Sequence, residues 1–499
     1  MLTYHPAAYA TPGSEVRAML HASNWERYHP PSAMKRSIAP ARTLAAVART
    51  LAIAVPTGMP ALLFLLGAGV RAQAHAPEAA SSVAAPASAP RPPALRVEPD
   101  RPSGIYRAGE TVGWTLRRAP DAGEGAVAYR YTVRRNALWK LAGGTLQFAG
   151  DAAHIEVPAT EPEMVYVEVT AAGRAGPPLI LGAAVAPEEL RPTAPEPADF
   201  DAFWRSKLQL LAAVPAAPVL TPGEAGRPDV EYATLTMNTV DGAHIHGQVA
   251  RPRVGARLPA LLILQWAGGP YPLQQRWVTD RAAEGWLALN VEPHDVLPRE
   301  PQSYYDALPA PLKNYQAIGR DDRDRNYFLR MYLSDYRAVE YLAGRPDWDG
   351  RTLVVTGTSM GGQQSLCTAA LNPRVTAVIV NEPSGADSNG GLAGRLTGYP
   401  NWPTTDARAL RTALYFDTVN CAPRIRAPAL VAMGFTDPIA PPTGIWTAFN
   451  RIPGRKEAVP MVDSSHNNLA TAEQQRPYME RSDRWLAALR QTGAPPPPP

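Results

Sequence analysis

The stretch from Leu353 to Ala370, LVVTGTSMGGQQSLCTAA, constrains this chain more than any other. An apolar, β-branched run stops at Gly357-Thr358-Ser359-Met360-Gly361-Gly362, and a helix-favouring segment follows at once. This is G-x-S-x-G in the setting that gives it meaning, a strand, a sharp turn and a helix. A serine on so tight a turn holds a strained backbone, so the residues two before and two after it must be small. Gly357 and Gly361 satisfy that demand. The Ser359 hydroxyl would then project above the sheet edge, facing the free N–H groups and partial positive charge of a helix N-terminus. Ser359 is therefore the candidate nucleophile, against the plainer reading of a packing turn in some other α/β protein.

The flanking segments predict what surrounds that turn. Val230 to Thr239 and His244 to Ala250 read as strands joined by Asp241-Gly242, a hairpin signal. Further strands are expected at Leu261–Leu264, Trp286–Val291, Val375–Val380, Ala429–Met433 and Ala458–Val462. Tyr327 to Ala343 carries an apolar face at helical spacing, through Phe328, Tyr332, Tyr336 and Val339. Strands alternating with helices after an opening hairpin predict an α/β class, a doubly wound, mainly parallel sheet with an antiparallel start. Counting the hairpin as two, the strand before Ser359 is the fifth, which is the order of the α/β-hydrolase fold.

A serine at neutral pH needs a histidine to take its proton, and that histidine needs a carboxylate to hold its tautomer. In this fold class the chain order is Ser, acid, His. Asp437 lies just past the Ala429–Met433 strand and His466 follows the next strand. Asp417 and Asp463 are rival carboxylates in poorer positions, and His244, His246, His294 and Asp295 all precede the serine. One oxyanion donor is expected from the backbone of Met360, the other from Trp266 or Ala267 in Gln265-Trp266-Ala267-Gly268-Gly269. Trp266, Tyr271 and Trp402 are candidate substrate contacts.

Residues 1–74 read as an extension and signal peptide. Met34-Lys35-Arg36, with Arg42 and Arg49, gives a positive start; an apolar run reaches Leu66, and Ala72-Gln73-Ala74 offers a cleavage site. The rival reading, a retained anchor, is opposed by Pro56, Gly58 and Pro60. Export to the periplasm or beyond, with no stable membrane span after cleavage, is the expectation. An Ala/Pro-rich linker covers 75–94. Residues 95–186 alternate with period two and predict a small all-β sandwich of immunoglobulin type, with His154 structural. Trp114, Trp139 or Tyr166 could serve there as sugar-stacking platforms, although core packing is the default for aromatics. The catalytic domain spans 191–490, followed by a Pro-rich tail, 491–499. A net charge of only +4, from scattered arginines, gives no basis for nucleic-acid binding. Cys367 and Cys421 make no disulfide framework or metal spacing and are expected to be packing residues.

From about Arg191 to Leu489 the chain resembles the acetyl xylan esterase / cephalosporin C deacetylase family of carbohydrate esterases. The runs that carry the likeness are Asp199-Phe200-Asp201-Ala202-Phe203-Trp204 and Asn326-Tyr327-Phe328-Leu329-Arg330-Met331-Tyr332-Leu333 with Arg337-Ala338-Val339-Glu340. Arg345-Pro346-Asp347, Tyr415-Phe416-Asp417-Thr418-Val419-Asn420 and Ala422-Pro423-Arg424-Ile425 add to them. The resemblance implies a serine esterase that deacetylates acetylated sugars through an acyl-enzyme, with no cofactor and no metal. It maps the catalytic groups onto Ser359, Asp437 and His466. Family members often assemble into rings, which an N-terminal module could block. The family commonly has His-Gly-Tyr where this chain has Gln265-Trp266-Ala267, and glutamine where it has Met360. Ser384 to Pro403 also departs, and is expected to form a distinct lid. Two other readings stand beside this one: a peptidase or dienelactone-type hydrolase with the same triad, and a degenerate carbohydrate-binding protein.

Overall fold

The computed structural model describes residues 95–119, 127–173 and 176–499. The expected signal peptide and linker lie outside these residues. Among the described residues no helix is long and apolar enough to cross a membrane.

The first part of the described chain is all-β. Its strands are β1 (Leu95–Pro99), β2 (Ile105–Tyr106), β3 (Thr111–Arg118), β4 (Tyr129–Arg135), β5 (Trp139–Thr145), β6 (Ala152–Pro158), β7 (Glu163–Ala171) and β8 (Leu179–Val185). They form a three-stranded sheet, β1-β3-β6, and a five-stranded sheet, β2-β8-β7-β4-β5. The inward-facing residues of both sheets, Val112, Trp114, Leu116, Ile155, Val165 and Val167, share one core. Trp114 and Tyr166 are buried, whereas Trp139 is exposed. His154 pairs with Asp100 at 3.1 Å, as suits a structural histidine.

A nine-stranded sheet follows. Its strands are β9 (Val219–Gly223), β10 (Val230–Asn238), β11 (His244–Pro252), β12 (Leu258–Leu264), β13 (Leu287–Val291), β14 (Trp348–Thr358), β15 (Ala377–Asn381), β16 (Ala429–Gly434) and β17 (Lys456–Met461). Their spatial order is β17-β16-β15-β14-β12-β13-β11-β10-β9. The strands from β12 to β17 run parallel, and β9 to β11 are antiparallel at one edge. Parallel strands are covered on both faces, which is why β12, β13, β15 and β16 are almost wholly apolar, with Asn290 of β13 and Asn381 of β15 the polar exceptions. The β10–β11 turn has φ of 58° at Asp241 and 71° at Gly242, the pair of left-handed residues that Asp-Gly supplies. β9 was not expected. It is a fully exposed edge strand with no alternation, and it makes β14 the sixth strand of the sheet rather than the fifth.

The longest helices are α1 (Phe200–Ala212), α2 (Arg276–Ala283), α3 (Tyr327–Ala343), α4 (Met360–Leu371), α5 (Pro442–Arg451) and α6 (Ala472–Thr492). α2 and α6 bury Val278, Ala282, Trp485 and Leu489 against one face of the sheet. α3, α4 and α5 bury Val339, Leu366 and Ile445 against the other. Asn326 caps α3 by accepting from the Phe328 amide, which sets the start of that helix. α1 packs Phe203 and Trp204 on Tyr332, Tyr415 and Phe416.

The all-β part is not a loosely tethered appendage. Met164 and Tyr166 of β7 and Ala184 of β8 belong to the same buried cluster as Met433 of β16, Phe435 of the loop after it and Trp446 of α5. Gly182 of β8 lies so close to the Phe435 carbonyl that an added Cβ would stand 2.6 Å from its oxygen. The segment expected to be a lid is strapped down. Asp387 accepts from the Thr193 amide at 2.9 Å and from Arg395 at 2.8 Å, and the Leu396 amide donates to Asn136 of the all-β part.

Candidate active site

Ser359 follows directly on β14, and its backbone sits at φ 57°, ψ −121°. A side-chain-bearing residue in that region is strained by about 1–3 kcal/mol and persists only where its surroundings insist on it. Those surroundings are visible. A Cβ on Gly357 would overlap the Gly361 carbonyl carbon, and one on Gly361 would overlap the Leu264 carbonyl oxygen. The Ser359 amide donates to Asn381 O at 2.9 Å, and its carbonyl accepts from Gln363 and Ser384. The turn is thus fixed to β12 on one side and β15 on the other.

Asp437 follows β16 and His466 follows β17, at the same carboxyl edge. The two loops are zipped by Phe435 N to Met461 O and Thr436 N to Ser464 O, each 3.0 Å. His466 Nδ1 lies 2.6 Å from Asp437 Oδ2, with both side chains buried. Asp437 is itself held by the Ile439 and Ala440 amides, at 2.7 and 2.9 Å. Burial works against charge on His466, but the Asp437 carboxylate, by its charge and its hydrogen bond, and Glu382 more weakly, raise the imidazole above its ordinary range. With Nδ1 donating to Asp437, the neutral ring keeps Nε2 free to accept a proton. Ser359 Oγ makes no hydrogen bond among the described residues, so the structure joins Asp437 to His466 but does not join His466 to Ser359. Such contacts are often open in an enzyme without substrate and close in the complex.

Sequence reasoning missed Glu382. It follows β15, between the elbow and the Asp437 loop, at φ 46° and fully buried. Its Oε2 lies 3.6 Å from His466 Nδ1 and accepts from the Asn467 amide at 2.7 Å; its Oε1 accepts from Gln475 at 2.7 Å. Burial, and then the charge of Asp437, push its carboxyl well above the usual carboxylate range. The one signal that could have found it is an acidic residue directly past the strand after the elbow. The rival acid Asp417 is employed elsewhere, accepting from the Asp387, Ser388 and Val419 amides.

The loop after β12 carries the other candidate donors. Gln364 of α4 donates to Gln265 O at 3.0 Å, and the Tyr271 hydroxyl reaches Trp266 O at 3.0 Å. Among the described residues the Trp266 and Ala267 N–H groups have no acceptor, and Met360 opens a helix whose first-turn amides are unpaired by geometry. Trp266 is 40% exposed, stacked on Tyr271 and edge-on to Trp277. Met360 Sδ accepts from Tyr315 and Tyr399 at 3.1 and 3.3 Å. Trp402, expected at the substrate, is 5% exposed and packs within the aromatic cluster that also holds Met360. His294 is buried beneath this wall, its Nδ1 2.9 Å from the Tyr327 hydroxyl. Burial, with Arg330 nearby, pushes it down to about 3, so it is a neutral ring at any working pH.

The expectation for the cysteines is corrected. Cys367 of α4 and Cys421 form a disulfide, 54 residues apart in sequence. Both are buried, so packing drew them together, and the 5.2 Å Cα separation is that of a bonded pair.

The acetyl xylan esterase (AXE1) family profile matches residues 187–389 and 395–483, more than half of the chain. The chain belongs to this family. The matched residues contain Ser359, Asp437, His466 and the Gln265–Gly269 loop, and leave out the all-β part. The acetyl esterase Axe7A of Xylanibacter ruminicola is 32% identical over 281 residues, covering 55% of this chain and 64% of the relative, so the match falls short of two thirds of that protein. Two solved structures share the fold, each covering 59% of this chain and 96% of their own. They are an acetyl xylan esterase from Paenibacillus sp. R4, at TM-score 0.50 and 22% identity, and acetyl xylan esterase 1 from Thermoanaerobacterium sp. JW/SL YS485, at 0.52 and 23%. The larger domain is accordingly an α/β-hydrolase domain.

Proposed function

We propose that this protein is a serine carboxylic-ester hydrolase that removes acetyl groups from acetylated sugars. The observation that carries the reading is the buried 2.6 Å pair of His466 and Asp437 at the same sheet edge as the strained Ser359 elbow. In this reading His466 Nε2 takes the Ser359 proton as Oγ attacks the ester carbonyl. The oxyanion is met by the Met360 N–H and by Trp266 or Ala267. The proton passes to the leaving sugar hydroxyl, and water, activated by the same imidazole, releases acetate. Asp437 keeps the imidazole in the tautomer this requires. Because the donors are backbone groups, the chemistry tolerates Trp266-Ala267 and Met360 where the family commonly has other side chains.

Family membership and the name of Axe7A support acetate as the acyl group. The Cys367–Cys421 disulfide supports an exported protein, since such bonds persist in oxidising compartments. The two packed β-sheets ahead of the hydrolase domain fit an immunoglobulin-like module. The test is acetate release from acetylated xylo-oligosaccharides and other acetylated sugars, with an acetamide analogue as control. Turnover of the ester, not the amide, and its loss in Ser359→Ala by on the order of 10⁶-fold in kcat, is the expected result. Full activity in Ser359→Ala would overturn the reading.

A further inference from the structure

A second group of ligand-bearing side chains sits at the turn end of the β10–β11 hairpin, where β11 begins. His244 and His246 are alternate residues of β11, so their imidazoles share one face of the strand. Asp295 reaches them from the loop after β13, the strand that pairs with β11 through Gly247 and Val291. His246 Nε2 lies 3.3 Å from Asp295 Oδ1, and His244 Nδ1 lies 4.0 Å from the same oxygen. One ligand atom from each residue falls within 4.8 Å of the other two.

We propose that His244, His246 and Asp295 bind one divalent transition-metal ion of the zinc class. The spacing suits it: bonds of about 2.0 Å in a tetrahedron put ligand atoms about 3.3 Å apart, so the His246–Asp295 edge already has the required length. His244 is 48% exposed at its side chain and can swing the remaining distance. The supporting contacts are those a metal site needs. Thr236 Oγ1 pairs with His246 Nδ1 at 3.1 Å, which leaves Nε2 to face the ion. The His244 amide donates to Asp295 Oδ2 at 3.1 Å, which turns Oδ1 inward. Two imidazoles with one carboxylate favour zinc, cobalt, nickel or copper over magnesium or calcium. Solvent completes the coordination at the exposed side. The other cluster of suitable residues, Glu382, Asp437 and His466, is buried, and its imidazole Nδ1 is already committed to Asp437.

The ion acts as a clamp. It ties the hairpin to the segment Glu292–Asp295, whose Glu292 amide already donates to His246 O at 2.8 Å. Within that segment His294 packs edge-on against Tyr315, which touches Met360.

The experiment uses the untagged full chain, stripped with chelator and dialysed, titrated with Zn²⁺ by calorimetry and with Co²⁺ by visible absorption. The expected result is one high-affinity ion per chain, tetrahedral Co²⁺ bands, and a Zn²⁺-dependent rise in Tm. Binding and the Tm rise should vanish in His244→Ala, a change at an exposed side chain. Thr236→Val should weaken binding about 10–100-fold through the lost support to His246. No uptake by the stripped wild type would overturn the proposal. So would uptake unchanged in a His244→Ala/His246→Ala double variant, including the case in which His466→Ala abolishes it.

Discussion

The contact between Gly182 and the Phe435 carbonyl makes a quantitative prediction about how the all-β part serves the Asp437 loop. Gly182→Ala asks for no forbidden backbone, because the φ of Gly182 is not positive. The new methyl would stand 2.6 Å from Phe435 O, 2.9 Å from its carbonyl carbon and 3.0 Å from its Cβ, where ordinary contact begins near 3.4 Å. The nearest atoms must retreat by about 0.8 Å, and they are backbone, with Phe435 two residues before Asp437. Overpacking of this kind costs about 1–3 kcal/mol. At about 1 °C per kcal/mol for a chain of 499 residues, Tm should fall by about 1–3 °C. A displacement approaching 1 Å at the acid should lower kcat by about 10–100-fold with little change in KM. Gly176→Ala is the control, since its Cβ would meet nothing within 4 Å and its φ is not positive. The assays are differential scanning calorimetry and acetate release under saturating substrate. A Gly182→Ala protein with wild-type Tm and wild-type kcat would refute the reasoning. A lowered Tm with unchanged kcat would restrict the contact to scaffolding.

Two other predictions follow from the same loops. If neutral His466 is the base, activity is lost as pH falls through its pKa, and that limb should lie above the ordinary histidine value of about 6.5. Glu382, pushed up to about 8 by burial and then by the charge of Asp437, is neutral where that limb lies, so Glu382→Gln should leave the limb in place; a pH–kcat/KM profile whose limb moved down by a full pH unit would contradict this. Removing the Cys367–Cys421 bond opens a loop of 54 residues and should cost about 4 kcal/mol in the chain-entropy account, read as a lower denaturant midpoint in a Cys367→Ala/Cys421→Ala variant.

What the sequence disclosed and what it hid divide along physical lines. The elbow was legible because its glycines obey a local steric rule, and Gly357 and Gly361 prove to have no room for a Cβ. α3 was legible because a continuous apolar stripe at helical spacing runs along it. Asp437 and His466 could be named together because strand order is read along the chain, and the structure brings them into contact. Glu382 escaped because its meaning depends on strands β15, β16 and β17 lying side by side, and nothing in Asn381-Glu382-Pro383 states that. The cysteine pair escaped for the same reason, since α4 meets residues 418–421 only after folding. In LILGAAV, Gly182 looks like any glycine in a strand; its neighbour is more than 250 residues away. β9 escaped because an exposed edge strand has no burial pattern to show.

The left-handed backbone at Ser359 has a consequence for how such a protein changes under selection. Glycine at that position would sit without strain, while serine at φ 57° is retained, on the proposed function, for the hydroxyl it carries. Heat resistance and turnover therefore pull position 359 in opposite directions. A lineage released from its substrate and kept only for durability would be expected to lose the hydroxyl before it lost the fold.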